Sequence, residues 1–244
     1  MANPITRHIP NAITLTNLLC GCIALIFAFS PLEKIGALYG FELTFILILA
    51  GALADFLDGM FARILKAYSP LGADLDSLSD LVTFGVAPAM LLYNILDAST
   101  AEEWIKWSSL LIPVCGALRL ARFNVDASQS TVFRGLPIPS CALFCIGLAA
   151  IMVSPTGFNP YAAAGCIIFI ALMMVAPLRM FSLKFKGNLF SGTNLIRYLL
   201  LAAAITFLSI WHWAGFLAAI GFYILVSFVA NFVYMVPSGE SSKE

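Results

Sequence analysis

Four aspartates stand close together in the sequence, with a spacing that suits a metal site. Asp55 and Asp58 are three residues apart, and Asp76 and Asp80 are four apart. If each pair lies on a helix, its two side chains share one helical face. Four carboxylates gathered in one place cannot all stay ionised unaided, because repulsion and burial push protons onto some of them. Two divalent cations would neutralise them, and ligands that are all oxygen favour Mg²⁺ or Mn²⁺. Paired ions of this kind bind a phosphoryl group and stabilise both its attacking and its leaving oxygen.

Less specific explanations of these aspartates are helix caps, hydrogen bonds between helices, and an ion path through a transporter or channel. Asp74 lies off the shared face, and a structural role is the preferred interpretation of that residue. A transporter would need polar residues at the middle of the membrane and toward its outer side, where the apolar stretches have almost none. Membrane aromatic prenyltransferases also bind Mg²⁺–diphosphate, but their two acidic motifs stand far apart. All four aspartates here lie within residues 55–80, which favours a phosphoryl-transfer site.

The elements that position these aspartates are predicted to be membrane helices. The 244-residue chain is 61% hydrophobic and 11% charged, with a mean hydropathy of +0.96, which excludes an ordinary soluble domain. Its apolar stretches are about 18 residues or longer, enough to cross a ~30 Å hydrocarbon core. The sequence therefore predicts an all-α, polytopic membrane bundle of about eight spans. These spans are at about 13–31, 41–64, 76–97, 104–122, 137–154, 160–180, 195–211 and 213–235.

The distribution of basic residues predicts the orientation of the bundle. If both termini lie in the cytoplasm, only Lys34 and Lys106 fall on the outer side, and all other Lys and Arg residues lie inside. The inner connections are also longer and more polar, so a site on the cytoplasmic side of a bacterial inner membrane is expected. We predict a single membrane domain over residues 1–236 and a polar tail at 237–244. The basic residues follow membrane boundaries, which argues against a nucleic-acid partner.

The aspartates form part of a longer pattern, Asp55-x2-Asp58-Gly59-x2-Ala62-Arg63-x8-Gly72-x3-Asp76-x3-Asp80. This pattern resembles the motif of the CDP-alcohol phosphotransferase family at every position. The resemblance implies transfer of a substituted phosphate from a CDP-linked alcohol to a hydroxyl acceptor, with release of CMP. The stretches PNAITLTNLLCG, DSLSDLVTFGVAPA, LRLARFN, FRGLPIP and SLKFKG further resemble the membrane-integral bacterial and archaeal phosphatidylserine synthases, a branch of that family. That likeness favours CDP-diacylglycerol and L-serine as substrates, over glycerol phosphate, inositol or inositol phosphate as acceptor.

The resemblance also implies roles for individual residues. The four aspartates would be ligands of two divalent cations, with Asp55 and Asp76 bridging both ions. Asp80 would in addition be the general base that takes the proton from the serine hydroxyl. A homodimer is expected from the same likeness. The residues expected to contact the CDP-lipid are Thr14, Asn17, Gly59, Ala62, Arg63, Ser69 and Gly72. Independently of the resemblance, Gly59 and Ala62 would let a flat group approach closely, or would serve helix packing, and Arg63 could pair with a phosphate.

Basic and polar residues on the inner side are candidates for binding the acceptor or a phosphate. A serine carboxylate is suited to a guanidinium group, and Arg119 and Arg122 lie three apart within LRLARFN. The alternative is that such residues only anchor helix ends among lipid headgroups. We expect one arginine of this pair to bind the carboxylate and the other a lipid phosphate. The candidate set is Arg119, Arg122, Asn124, Arg134 and Lys184.

Overall fold

The computed structural model describes residues 8–99, 102–125, 135–155, 157–178, 180 and 192–235. Within these residues the chain is helical, apart from turns and one short hairpin of two antiparallel strands, β1 (Lys34–Ile35) and β2 (Leu38–Tyr39). In chain order the helices are α1 (Ile9–Ala28), α2 (Gly40–Ile64), α3 (Pro70–Asp80), α4 (Ala87–Ser99), α5 (Glu103–Trp107), α6 (Leu111–Val125), α7 (Ile138–Met152), α8 (Pro160–Val175), α9 (Gly192–Trp211) and α10 (Gly215–Met235).

Some of these helices continue into one another, so the described residues form eight helical rods. A π-helix, Leu81–Val86, joins α3 to α4, and a 3₁₀ turn at Ser108–Leu110 joins α5 to α6. The rod that holds Asp76 and Asp80 begins at Pro70, earlier than the predicted start at residue 76. The reason is local, because the Ser69 hydroxyl accepts the Gly72 N–H at 3.0 Å and Pro70 suits the first helical position.

Among the described residues, four helical segments are by length and composition apolar enough to cross a membrane: Ile9–Ala28, Gly40–Ile64, Pro70–Ser99 and Asn194–Ala230. The last segment turns back on itself at His212–Ala214, since Phe207 of α9 packs against Phe222 of α10. The helices α7 and α8 are apolar but shorter. The predicted fold class, an all-α membrane bundle, is confirmed. The single domain over residues 1–236 stays a prediction, and the tail at 237–244 lies outside the described residues.

The two ends of the bundle carry different polar contacts. At one end Lys106 forms ion pairs with Asp97 at 2.6 Å and Glu103 at 2.9 Å, and Tyr161 is hydrogen-bonded to Glu102. This is the end that the sequence assigns to the outer side. The four aspartates lie at the opposite end, where α2 ends and α3 begins. The bundle therefore carries the aspartates at the end that the sequence assigns to the cytoplasm.

Small residues allow the helices that carry the aspartates to pack closely together. A Cβ atom added to Gly21 of α1 would overlap the Thr83 side chain, and one added to Gly51 of α2 would come within 2.6 Å of Thr83 Cγ2. Thr83 lies in the π-helix that directly follows Asp80, and its hydroxyl donates to the Asn17 carbonyl oxygen at 3.0 Å. Close helix contacts through glycine are typical of membrane bundles. The three helical rods that build the site are thus fixed relative to one another.

Candidate active site

The end of α2 and the start of α3 bring the aspartates together across a short connection. Leu65–Ser69 links the two helices, and Lys66 turns the chain there with a positive φ of 49°. Asp55, Asp76 and Asp80 each offer one carboxylate oxygen, and these three oxygens lie within 4.8 Å of one another. The predicted meeting of the two helical faces is therefore confirmed for these three residues. Asp74 is exposed and not part of the group, in line with its interpretation as a residue off the shared face.

This group of carboxylates fits a divalent cation. All of its ligand atoms are carboxylate oxygens, which hard cations prefer. Asp80 is only 8% exposed, and Asp76 Oδ1 is buried without a hydrogen-bond partner within the described ranges. A buried carboxylate oxygen with no donor is costly unless a cation or a proton compensates it. The described residues thus contain a cluster that could hold a metal ion.

Asp58, the fourth aspartate, is buried beside this cluster and is held by helix α1. It is 6% exposed, and its Oδ2 accepts a hydrogen bond from Thr14 Oγ1 at 2.6 Å. The cluster of three oxygens within 4.8 Å does not include it. Asp58 instead lines a cavity together with Asp76. The predicted ligand set of four aspartates is therefore three clustered carboxylates and a neighbour that faces the cavity.

That cavity has a volume of about 190 Å³ and opens beside the aspartates, between α1, the end of α2 and the start of α3. Residues of the sequence motif form much of its wall. A Cβ atom added at Gly59 would meet no heavy atom within 4 Å, so this glycine leaves space inside the cavity. The full lining is Pro10, Asn11, Thr14, Asp58, Gly59, Ala62, Ala67, Tyr68, Ser69, Gly72, Ala73 and Asp76.

The cavity includes five of the residues that the sequence assigned to the CDP-lipid, namely Thr14, Gly59, Ala62, Ser69 and Gly72. Two others lie elsewhere. Asn17 is fully buried and contacts Asp80, and Arg63 is exposed outside the cavity wall.

Sequence reasoning missed several residues of the cavity wall: Pro10, Asn11, Ala67, Tyr68 and Ala73. The position of Asn11 did carry a signal, because it lies one helical turn before Thr14 and so shares its face. A Cβ atom on Gly72 would come within 3.0 Å of Asn11 Oδ1, which places that amide directly against the first turn of α3. For Tyr68 and Ala67, which lie in the connection between α2 and α3, no periodic pattern was available.

The two arginines of α6 have different surroundings. Arg119 is partly buried, its Nε has no hydrogen-bond partner among the described residues, and it lies close enough to Asp80 and Tyr223 for each to act on its charge. Arg122 is exposed, and its Nη1 donates to the Val175 carbonyl oxygen at 3.4 Å. Of these two arginines, Arg119 is therefore the one whose charge interacts with the acidic cluster.

Of the remaining acceptor candidates, only Asn124 can be placed. It is exposed, and its Nδ2 donates to Ser77 Oγ on α3 at 2.9 Å. Ser77 directly follows Asp76, so Asn124 joins α6 to the helix that carries two of the clustered aspartates. Arg134 and Lys184 lie outside the described residues.

Comparison with known proteins identifies the class of protein. The sequence model of the CDP-alcohol phosphatidyltransferase family matches residues 7–236, and the chain belongs to this family. The family and the class of enzyme predicted from the aspartate pattern, a membrane transferase of phospholipid synthesis, are thereby confirmed.

Individual relatives extend this finding, and three of them carry the same name, CDP-diacylglycerol–serine O-phosphatidyltransferase. The protein from Bacillus subtilis (strain 168) is 35% identical over 188 residues, which cover 76% of this chain and 98% of that protein. The protein from Mycobacterium leprae (strain TN) is 39% identical over 150 residues, or 59% of this chain and 47% of that protein. The protein from Methanocaldococcus jannaschii is 39% identical over 137 residues, or 56% and 62%. The matched part thus spans nearly all of the Bacillus relative and about half of the mycobacterial one.

Proposed function

We propose that this protein transfers the phosphatidyl group of CDP-diacylglycerol to the hydroxyl of L-serine, and so forms phosphatidylserine and CMP. The observation that carries the proposal is the group of three carboxylate oxygens within 4.8 Å of one another, beside a cavity walled by the motif residues. The choice of serine is supported by the names of the relatives. We also place the site on the cytoplasmic side of the membrane, as the distribution of Lys and Arg favours, and expect a homodimer.

In this proposal the cavity holds the cytidine diphosphate part of the lipid. Gly59 and Ala62 present little side chain, so a flat or phosphorylated group can approach the backbone of α2. Asn11 and Ser69 supply polar atoms at the wall, and Ser69 also caps α3. The cavity opens at the end of the bundle, where a lipid in the bilayer can present its headgroup while its chains stay among the apolar helices. Arg63 is exposed beside this end and is suited to an outer phosphate oxygen.

Asp55, Asp58, Asp76 and Asp80 would hold two divalent cations, Mg²⁺ or Mn²⁺. When bound, such ions neutralise the charge of the diphosphate and stabilise the leaving phosphate oxygen. The aspartates themselves keep the ions and the lipid phosphates in one place, and this positioning is a large part of what such a reaction needs. The buried Asp76 Oδ1 has no hydrogen-bond donor among the described residues, so a bound cation would compensate its charge.

Asp80 would act as the general base. The serine hydroxyl oxygen attacks the phosphorus of the phosphatidyl group, the bond from that phosphorus to the CMP oxygen breaks, and the hydroxyl proton passes to Asp80. Asp80 suits this role because it belongs to the carboxylate cluster but does not line the nucleotide cavity. A second substrate can therefore approach it from another side than the lipid.

Arg119 would bind the serine carboxylate. Its guanidinium is partly buried near Asp80, and its Nε has no hydrogen-bond partner in the part of the chain that the structure describes. A buried N–H of a charged group without an acceptor is costly, and a carboxylate that arrives with the substrate would compensate it. The same position would place the hydroxyl of the bound amino acid near Asp80. Arg122 is exposed and directed at a backbone carbonyl, so we assign it to the lipid phosphates of the membrane surface.

A panel of acceptors tests the proposed reaction. The purified protein in detergent micelles is given CDP-diacylglycerol with serine, glycerol 3-phosphate, inositol or inositol phosphate, and CMP release is measured. We expect CMP release that depends on serine and on Mg²⁺ or Mn²⁺, with phosphatidylserine as the lipid product. Faster release with another acceptor would assign the protein to a different branch of the family. If no acceptor released CMP, the transferase assignment itself would be wrong.

A further inference from the structure

Two polar residues of α1 contact the aspartates directly, from within the protein. Thr14 Oγ1 donates to Asp58 Oδ2 at 2.6 Å, and Asn17 Nδ2 donates to Asp80 Oδ1 at 3.2 Å. Thr14 is 3% exposed and Asn17 is fully buried. The two residues lie one helical turn apart, so a single face of α1 reaches one aspartate of α2 and one of α3. Helix α1 therefore contributes a hydrogen bond to each of the two acidic pairs.

The hydroxyl of Thr14 can donate only one proton, and its surroundings offer two acceptors. One is the Pro10 carbonyl oxygen at 3.0 Å, within the same helix, and the other is the Asp58 carboxylate at 2.6 Å. Hydrogen bonds to a carboxylate are shorter and stronger than those to a neutral carbonyl. The shorter distance therefore indicates that the proton points to Asp58, and the bond limits the rotation of that carboxylate.

Asn17 is held even more firmly than Thr14. Its backbone carbonyl accepts the Thr83 hydroxyl at 3.0 Å, and a Cβ atom on Gly51 would come within 2.8 Å of its Oδ1. That Oδ1 is buried and has no hydrogen-bond partner among the residues that the structure describes. Reversing the amide would give Oδ1 no better surroundings, because it would then face the Asp80 oxygen and repel it. The amide thus leaves one buried oxygen unpaired in order to direct its N–H group at Asp80, and such an unpaired buried group in a native structure calls for an explanation.

We infer that Thr14 and Asn17 are positioning residues, which orient Asp58 and Asp80 for cation binding. This inference rests on the proposed function. Each residue hydrogen-bonds one oxygen of a carboxylate and so limits how that carboxylate can turn toward a cation. Substitution of residues that orient metal ligands in this way commonly lowers the metal affinity by about 10- to 100-fold. Asn17 does not line the nucleotide cavity, so this role does not require it to contact the lipid substrate.

Binding of Mn²⁺ alone tests the inference without catalysis. The full-length protein in detergent is titrated with Mn²⁺ and the free ion is measured by electron paramagnetic resonance. Thr14→Val keeps the shape of the side chain but removes the hydroxyl, and Asn17→Leu removes the amide. We expect each change to weaken Mn²⁺ binding by about tenfold. Thr14→Ser, which keeps the hydroxyl, should restore the wild-type affinity.

A matched control lies on the same helix. Thr16 is exposed, and its hydroxyl bonds only to the Ala12 carbonyl oxygen at 3.0 Å among the described contacts, so Thr16→Val should leave the Mn²⁺ affinity within twofold.

Thermal unfolding without metal identifies variants that are merely misfolded, and if Asn17→Leu does not fold, the Thr14 series decides the matter. Unchanged Mn²⁺ affinity in folded Thr14→Val would overturn the inference, as would a wild-type protein that binds no Mn²⁺. An altered KM for CDP-diacylglycerol with normal Mn²⁺ affinity would also overturn it and indicate contact with the lipid instead. The choice of acceptor in the CMP assay does not affect these results, so the two proposals can fail separately.

Discussion

Gly59 offers a direct test of the nucleotide cavity, because its missing side chain leaves space that the protein does not use. It lies on α2 in the cavity wall, and a Cβ atom there would meet no heavy atom within 4 Å. Gly59→Ala therefore causes no clash within the protein. Alanine in a helix is more stable than glycine by about 0.8–1.0 kcal/mol, so the fold should not suffer. Any loss of activity would therefore have to come from a clash between the added methyl group and the bound substrate.

The expected magnitude follows from the size of the cavity. A methyl group takes up about as much space as a water molecule, roughly 30 Å³, in a cavity of about 190 Å³. A phosphate or sugar that approaches the α2 backbone at Gly59 would therefore be displaced by most of the width of the added methyl group. We expect the KM for CDP-diacylglycerol to rise about tenfold, or ~1.4 kcal/mol, and about a hundredfold in Gly59→Val. The KM for serine should stay within twofold of the wild type.

The assay is the initial rate of CMP release in mixed micelles, with the surface concentration of CDP-diacylglycerol varied at saturating serine. Gly165→Ala is the matched control, because Gly165 is also helical and a Cβ atom there also meets nothing within 4 Å, but it lies on α8 outside the cavity wall. Both variants should show a similar change in thermal stability. A wild-type KM for the lipid in Gly59→Ala, or an equal change in Gly165→Ala, would refute the assignment of this cavity to the nucleotide.

The other predictions concern the aspartates and the arginines. Asp76→Asn should abolish CMP release and weaken Mn²⁺ binding. Asp74→Asn, which changes an exposed aspartate outside the cluster, should do neither. An active Asp76→Asn enzyme would exclude the metal site. Asp80→Asn should lower kcat by at least a hundredfold while changing CDP-lipid affinity, measured by equilibrium binding, much less, and normal turnover would rule out its role as the base. Arg119→Lys keeps the charge but loses the forked geometry, so the KM for serine should rise ten- to a hundredfold, or ~1.4–2.8 kcal/mol. The same change at Arg122 should have less than a threefold effect, and the reverse order would move the carboxylate site to Arg122.

The meeting of the aspartates could be predicted from sequence because it depends on two short-range facts. Residues three or four apart share a helical face, and the short connection after α2 returns α3 to the same end of the bundle. The start of α3 was placed too late because the prediction followed hydrophobicity, which begins after the polar first turn capped by Ser69. Hydrophobic runs mark where a helix enters the membrane, and capping residues mark where it begins.

The contacts of Thr14 and Asn17 could not be predicted in the same way. They depend on how closely α1 approaches the other helices, and that distance is set by Gly21 and Gly51 against Thr83. The π-helix that contains Thr83 was equally hidden, since no residue type in Leu81–Val86 signals its wider turn. Such turns often occur at functional sites, and this one directly follows Asp80. Periodicity along one helix therefore predicted which aspartates meet, whereas packing between helices determined which residues of α1 contact them.

The arrangement of residues around the cluster also bears on the geometry of the proposed reaction. Asp58 and Asp76 line the nucleotide cavity, whereas Asp80 does not and lies near Arg119. The carboxylate cluster therefore has one side directed toward the cavity and another toward α6. Phosphoryl transfer needs the attacking and leaving oxygens roughly in line, on opposite sides of the phosphorus. If CMP leaves through the cavity, the acceptor must arrive from the side of Asp80 and Arg119, where Asp80 can take its proton. The proposed base and the proposed nucleotide cavity would then lie on opposite sides of the same cluster.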